Sequence, residues 1–193
     1  MTFAFKTILP ALAAATLFAA SAQAAQTMSV PRFRSISLHA GGVATLRHGK
    51  TQRVTLIKGD PAIVRIEVDK NGTLDLSPCK LTHGCPRHNE FEVEVVTPAI
   101  AAIDVHSGGR LAATGAFPRQ PNLSVSVHSG GRADLRAIPA DNVKASVHSG
   151  GFAEVRAEKE LSASVHSAGN VEYWGHPSVT SSVHSGGRIE RGQ

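Results

Sequence analysis

Five histidines recur at one place in a repeated pentapeptide: Val105-His106-Ser107-Gly108-Gly109, Val127-His128-Ser129-Gly130-Gly131, Val147-His148-Ser149-Gly150-Gly151, Val165-His166-Ser167-Ala168-Gly169 and Val183-His184-Ser185-Gly186-Gly187. The intervals are 22, 20, 18 and 18 residues. A period in this range marks stacked coils, so residues one repeat apart line up at the inter-strand spacing of about 4.7–4.9 Å. His106, His128, His148, His166 and His184 are therefore expected to form one outward column. Neutral imidazole ligates Zn, Cu or Ni, and two nitrogens on one ion sit roughly 3.3–4 Å apart, which neighbouring rungs reach with small tilts. The second chemistry is recognition of anions. Arg110, Arg132 and Arg188 stand four residues after their histidines, with Phe152 and Asn170 interrupting that column. A free imidazole gains its proton near pH ~6.5, so such a face would hold an anionic glycan or lipid head group more strongly in acid. In the third reading the rings only stack and cover the sheet. Protonated rings at this spacing repel one another, so acid is expected to loosen the stack whichever reading holds.

Hydrolysis fits less well. Strand alternation points the serine after each histidine to the other side, so that pair cannot act as nucleophile and base. These serines are expected at corners, bonding backbone groups. Six residues after the histidines runs a carboxylate column, Asp134, Glu154, Glu172 and Glu190, with Arg136 and Arg156 placed to separate the like charges. A salt-bridged solvent face is the simpler account of it and calcium between coils the other. Whether the imidazole and carboxylate columns converge is open at this level.

The elements that position these groups follow from the pattern around them. Val and Ile/Ala residues flanking each histidine alternate with small polar ones, as in Ser124-Val125-Ser126-Val127. Gly-Gly makes a sharp corner, a second short strand follows, and Pro/Asp/Asn/Gly segments close the coil. Strand, corner, strand and turn at a variable 18–22 residues point to an all-β chain, a right-handed parallel β-helix built as a single-stack solenoid. One β-helical domain is expected over residues 25–193, irregular over 30–98 and regular over 99–193. In the irregular part Leu38-His39-Ala40-Gly41-Gly42 is a degenerate sixth copy of the pentapeptide. Asn71-Gly72 predicts a hairpin with a type I′ turn. Cys79 and Cys85 enclose a polar loop where a disulfide is expected, a Cys2His2 metal site with His83 and His88 being the alternative.

Ser35-Ile36-Ser37-Leu38, the Gly41-Gly42 turn, Gly72-x-Leu74-x-Leu76, Pro98 and the Val-x-Ser-Gly-Gly coils together resemble the head GIN domain of putative auto-transporter adhesins. The resemblance spans roughly residues 30–190. It implies a β-helical domain secreted by, or attached to the envelope of, a bacterium, and carries no catalytic residues. The repeated histidine and the cysteine loop depart from the family pattern.

Composition agrees with an exported β protein. Gly is abundant (18) and aromatic residues make up 5%. Residues 1–24 have the form of a signal peptide: a positive start at Lys6, an apolar stretch to Ala20, and Ala22-Gln23-Ala24 as cleavage site. The apolar run is short for a membrane span, no other such run follows, and no cysteine behind it offers a lipid anchor. Periplasm or secretion is the expected destination. Lys6 aside, 19 basic residues face 15 acidic ones, a mild +4 that favours anionic polymer without suggesting nucleic acid. An enzyme reading, as a polysaccharide lyase or hydrolase, rests on fold analogy alone, and the chain has no long inserted loops to wall a groove. The expectation is a non-catalytic module whose partners are envelope polysaccharide or, through open β-helix ends, another copy.

Overall fold

A computed structural model describes residues 25–80 and 90–193. The signal segment 1–24, Cys85, His83 and His88 lie outside the described residues. All regular structure in the described residues is β, in one sheet of fifteen strands. They are β1 (Gln26–Met28), β2 (Ser35–Leu38), β3 (Val43–His48), β4 (Arg53–Lys58), β5 (Arg65–Val68), β6 (Thr73–Ser77), β7 (Glu92–Thr97), β8 (Ala102–Val105), β9 (Arg110–Thr114), β10 (Gln120–Val127), β11 (Arg132–His148), β12 (Phe152–His166), β13 (Asn170–Trp174), β14 (Ser178–His184) and β15 (Arg188–Arg191).

In the repeat region each strand pairs in parallel with its equivalent one repeat away. On one face Val105, Val127, Val147, Val165 and Val183 fall in register. On the other, Arg110, Arg132, Phe152, Asn170 and Arg188 do. The long strands β11 and β12 begin on the second face and end on the first, with register shifts around Pro139 where the backbone turns. The sheet thereby bends back on itself into a nearly closed, barrel-like wrap. Its interior is a single core in which the rows Val125/Val127 and Ala133/Leu135 meet. Alternation explains the burial. Val105, Val127, Val147 and Val165 are fully enclosed, each worth about 1.5–3 kcal/mol of transfer free energy, and the residues between them must face out.

The two corner glycines have different reasons to be glycine. The first (Gly108, Gly130, Gly150, Gly186) has φ between 73° and 85°, and a Cβ there would meet open space. In the fourth copy Ala168 takes this place at φ 63°. The second has no such φ but is closely packed: in Gly131, Gly151, Gly169 and Gly187 it lies against the valine of the preceding coil, joined at Gly151 by that of its own. A Cβ on Gly169, for example, would come within 2.8 Å of Val147 Cγ1. The pentapeptide serines also adopt left-handed φ, 50–58°. The bond that ties one corner to the next is made by the serine backbone: Gly108, Gly130 and Gly150 donate their N–H to the carbonyls of Ser129, Ser149 and Ser167.

The N-terminal part departs from sequential stacking. β2 lies between β8 and β6, all parallel, and β3 lies between β9 and β7. The coil formed by β2 and β3 is thus inserted between the β6–β7 coil and the β8–β9 coil. Beyond them pairing turns antiparallel: β4 runs against β7, β1 against β4 and β5 against β6. Residues 65–77 do form the expected hairpin, but with a different turn. Only Gly72 has positive φ (77°), not Asn71, so the loop is not type I′. Instead the Asp69 carboxylate accepts the N–H groups of Asn71 and Thr73, and these bonds hold its pKa below the usual carboxylate range.

Candidate functional site

The five repeat histidines do stand in one column, and the inserted coil adds a sixth rung. Ring centroids run His39–His106 4.9 Å, His106–His128 5.0 Å, His128–His148 4.9 Å, His148–His166 4.8 Å and His166–His184 4.8 Å. Adjacent planes lie within 7° except at the last step, 21°. His39 precedes His106 by 67 residues, so spacing alone could not place it, though its pentapeptide-like surroundings were the available signal.

Five of the six rings are held by the serine two residues before them. Nε2 lies 2.9 Å from Ser37 Oγ in the rung of His39, and 2.7, 3.0, 3.1 and 2.9 Å from Ser126, Ser146, Ser164 and Ser182 in the rungs of His128, His148, His166 and His184. A residue two positions away shares the strand face, which is why this serine reaches the imidazole and the one after it does not. The ladder thus contains Ser–His pairs that an argument from the pentapeptide serine alone overlooks. A nucleophile–base site needs in addition a third group orienting the imidazole and donors for an oxyanion. The ladder rings make no such second hydrogen bond among the described residues.

For two neighbouring rungs to share one metal ion, the rings would have to tilt out of their stacked positions. Two bonds of about 2.1 Å hold nitrogens of one ion no more than about 4.2 Å apart, whereas parallel rings 4.8–5.0 Å apart aim their nitrogens side by side. Among the described residues no group of three or more His, Cys, Asp or Glu is placed to hold an ion. The imidazole and carboxylate columns accordingly do not combine into a ligand set.

One rung breaks the serine pattern. Asp104 occupies the column between Ser37 and Ser126, half-buried beside the rings. Burial pushes its carboxyl above the usual range, while His106, His128 and His39 pull in the opposite direction. A carboxyl raised on folding contributes stability that is present below its ordinary pKa and lost as pH rises through the folded value. Asp104→Ser, which completes the column, is therefore expected to raise the urea midpoint at pH 7. The gain should shrink as pH falls, because the raised wild-type carboxyl then takes its proton and the burial penalty goes. A wild-type protein that outlasts the variant at pH 7 would contradict this.

On the second face Arg110 and Arg132 are register neighbours, while Arg188 lies three coils further along. The three arginines therefore do not form one patch. Arg110, Arg132 and Arg136 line a shallow cavity of about 270 Å³ together with Asp134 and Glu154. Glu154 is buried, its side chain 7% exposed, and bonds Arg132 at 3.1 Å, with Arg136 at 3.5 Å. Arg136 also grips Asp134 through two bonds of 2.9 and 2.6 Å, which hold that carboxyl below the usual range. Arg132 lies over Phe152 and Arg136 over Trp174, at 4.4 and 5.1 Å from the ring centroids. Arg156 turns instead to Glu158. Arg132 is thus engaged, and Arg110 is the member of the pair with no carboxylate partner among the described residues. Cys79 is buried.

Comparison with known proteins bears on this architecture. The chain is similar over 87% of its length to the structure of a putative adhesin from Bacteroides fragilis, 96% of which is covered, at 15% identity and a TM-score of 0.54. A putative adhesin from Parabacteroides merdae is matched over 88% of this chain and 96% of its own, at 11% identity and a TM-score of 0.44. At these identities the first likeness concerns the fold alone. No curated protein matches. No helix among the described residues is long and apolar enough to cross a membrane. Residues 117–177 match the family described as "Putative auto-transporter adhesin, head GIN domain", the family that the repeats resemble.

Proposed function

We propose that this chain is a non-catalytic module of the bacterial envelope, exported by its signal segment to the periplasm or beyond. In this reading it is a right-handed parallel β-helix that displays the histidine ladder to an anionic polysaccharide. The observation that carries the reading is the ladder itself: six rings at an even spacing, each set by its own coil and, in five rungs, locked by a serine. A rigid, evenly repeated row suits a ligand that also repeats, and a linear polymer is such a ligand. Preorganisation of this kind lowers the entropy cost of binding. Arg110, with no carboxylate partner among the described residues, lies beside the corner of the His106 coil and adds a fixed positive charge, and the whole chain carries a formal +5. A family described by adhesion supports a binding role. Zn, Cu or Ni binding by the same histidines is the second reading; it requires the rungs to leave their stacked positions. A Cys79–Cys85 disulfide completes the proposal, supported by the burial of Cys79 and the absence of free cysteine among the described residues.

Retention on immobilised polygalacturonate, compared with neutral dextran, tests the reading. The mature protein is expected to bind the acidic polymer, more tightly at pH 5.5 than at pH 7.5, and to be released by salt. Arg110→Ala should weaken binding about 2- to 5-fold, the scale of an exposed charge contact. Replacing His128 and His148 together by Ala, which removes the middle of the six-ring ladder, should reduce the pH dependence of retention. Equal retention on dextran would refute the proposal. Calorimetric titration with Zn²⁺, Cu²⁺ and Ni²⁺ on the same variants decides the second reading.

A further inference from the structure

The two ends of the stack are finished differently. At the N-terminal end the outermost strands are β1, only three residues long, and β5, which carries Arg65 and Glu67. Short and charged edges are the usual devices against unwanted strand pairing. At the other end β14 pairs only with β12 and β15 only with β13. β14 is seven residues long and has no Lys, Arg, Asp, Glu or Pro. Its inward row is uncovered: Val179 is 41% and Val183 46% exposed, although their equivalents one coil back, Leu161 and Val165, are enclosed.

The order of residues on this edge is close to palindromic. Antiparallel pairing of β14 with its own copy about Ser181 sets Val179 against Val183 and Thr180 against Ser182, and keeps the inward row facing inward. β15 has the same property. Pairing about Ile189 places Arg188 opposite Glu190 of the copy, and Glu190 opposite Arg188. A two-fold interface demands this reciprocity, residue i meeting j and j meeting i. We propose that the last described coil is a dimerisation surface, and that a second copy of this chain adds its β14 edge antiparallel to this one, burying Val179 and Val183. The register offset between His184 and its copy is six residues, so the two histidine columns would run about 20 Å apart. The interface stands whether or not the ladder meets a polymer.

Light scattering coupled to size exclusion, and sedimentation of the mature chain up to about 100 μM, read the assembly directly. The wild type is expected at twice the chain mass. Arg188→Glu sets like charges against Glu190 and should raise the dimer Kd at least about tenfold. The double variant Arg188→Glu/Glu190→Arg should restore it. Val183→Lys should give monomer, and if its circular dichroism shows that it misfolds, the charge swap serves instead. Ser181→Cys, which faces its own copy, should cross-link under oxidation. A wild type that remains monomeric at 100 μM, or a dimer indifferent to both Val183→Lys and Arg188→Glu, overturns the proposal.

Discussion

Gly151→Ala is expected to lower the unfolding free energy by about 2–3 kcal/mol, while Gly150→Ala, one residue earlier, costs only about 1 kcal/mol. The contrast follows from what surrounds each position. A Cβ on Gly151 would lie 2.9 Å from Val127 Cγ1 and 3.1 Å from both the Val127 carbonyl and Val147 Cγ1. Those valines are fully enclosed, so neither can give way without disturbing the core row of its coil. At Gly150 nothing lies within 4 Å, and only the φ of 73° penalises a side chain. The fourth coil already carries Ala168 at that first position and keeps Gly169 at the second. For a chain of this size the larger loss corresponds to a Tm lower by roughly 4–12 °C. Thermal melts of the two single variants check the prediction, and equal losses would refute the division of roles between the glycines.

A larger and non-additive loss is expected on the second face. Arg132→Ala or Arg136→Ala alone leaves Glu154 one guanidinium, so each single change should cost about 1–2 kcal/mol. Removing both leaves a buried carboxylate with no cation beside it. Breaking a buried pair in this way costs about 3–5 kcal/mol, and the double variant should exceed the sum of its parts. Glu154→Gln in the doubly substituted background should recover most of the loss, because a neutral amide has far less to lose from burial. Urea unfolding of the four variants gives the cycle. Strict additivity, or no recovery by Glu154→Gln, would show that the carboxylate is solvated after all.

Much of this was legible from alternation and period. The valine flanking each histidine had to be inside, so the histidine had to be outside, and a repeat of 18–22 residues had to stack. The limits of that logic are equally physical. The pentapeptide shows two glycines but not which one bears the strained φ and which one the close packing, because both select the same residue. Asn71-Gly72 signals a hairpin; the carboxylate of Asp69, two residues earlier, decides its turn by capping the backbone. Asp104 was visible as one acidic residue among serines, yet its significance depends on half-burial between three imidazoles. For Arg132, sequence spacing suggested an open anion contact, but Glu154 on the next coil had already claimed it. The pentapeptide-like surroundings of His39 marked it as a further copy, but its place beside His106 could not be read, since nothing local tells a strand which distant strand will lie beside it.

That insertion has a consequence for how the chain is made. During synthesis the β2–β3 coil appears first but acquires its β8–β9 neighbour only some sixty residues later. The stretch from residue 99 onward, by contrast, closes each coil against the one just finished. Folding driven by near neighbours is fast and propagates, whereas distant pairing waits on loop closure. The regular array is therefore suited to grow as a zipper, and the N-terminal coils to dock onto it as a separate, slower event. A chain released between these two moments would present β2 and β3 as naked edges, so the junction at β8 is where biogenesis of this protein is most exposed to error.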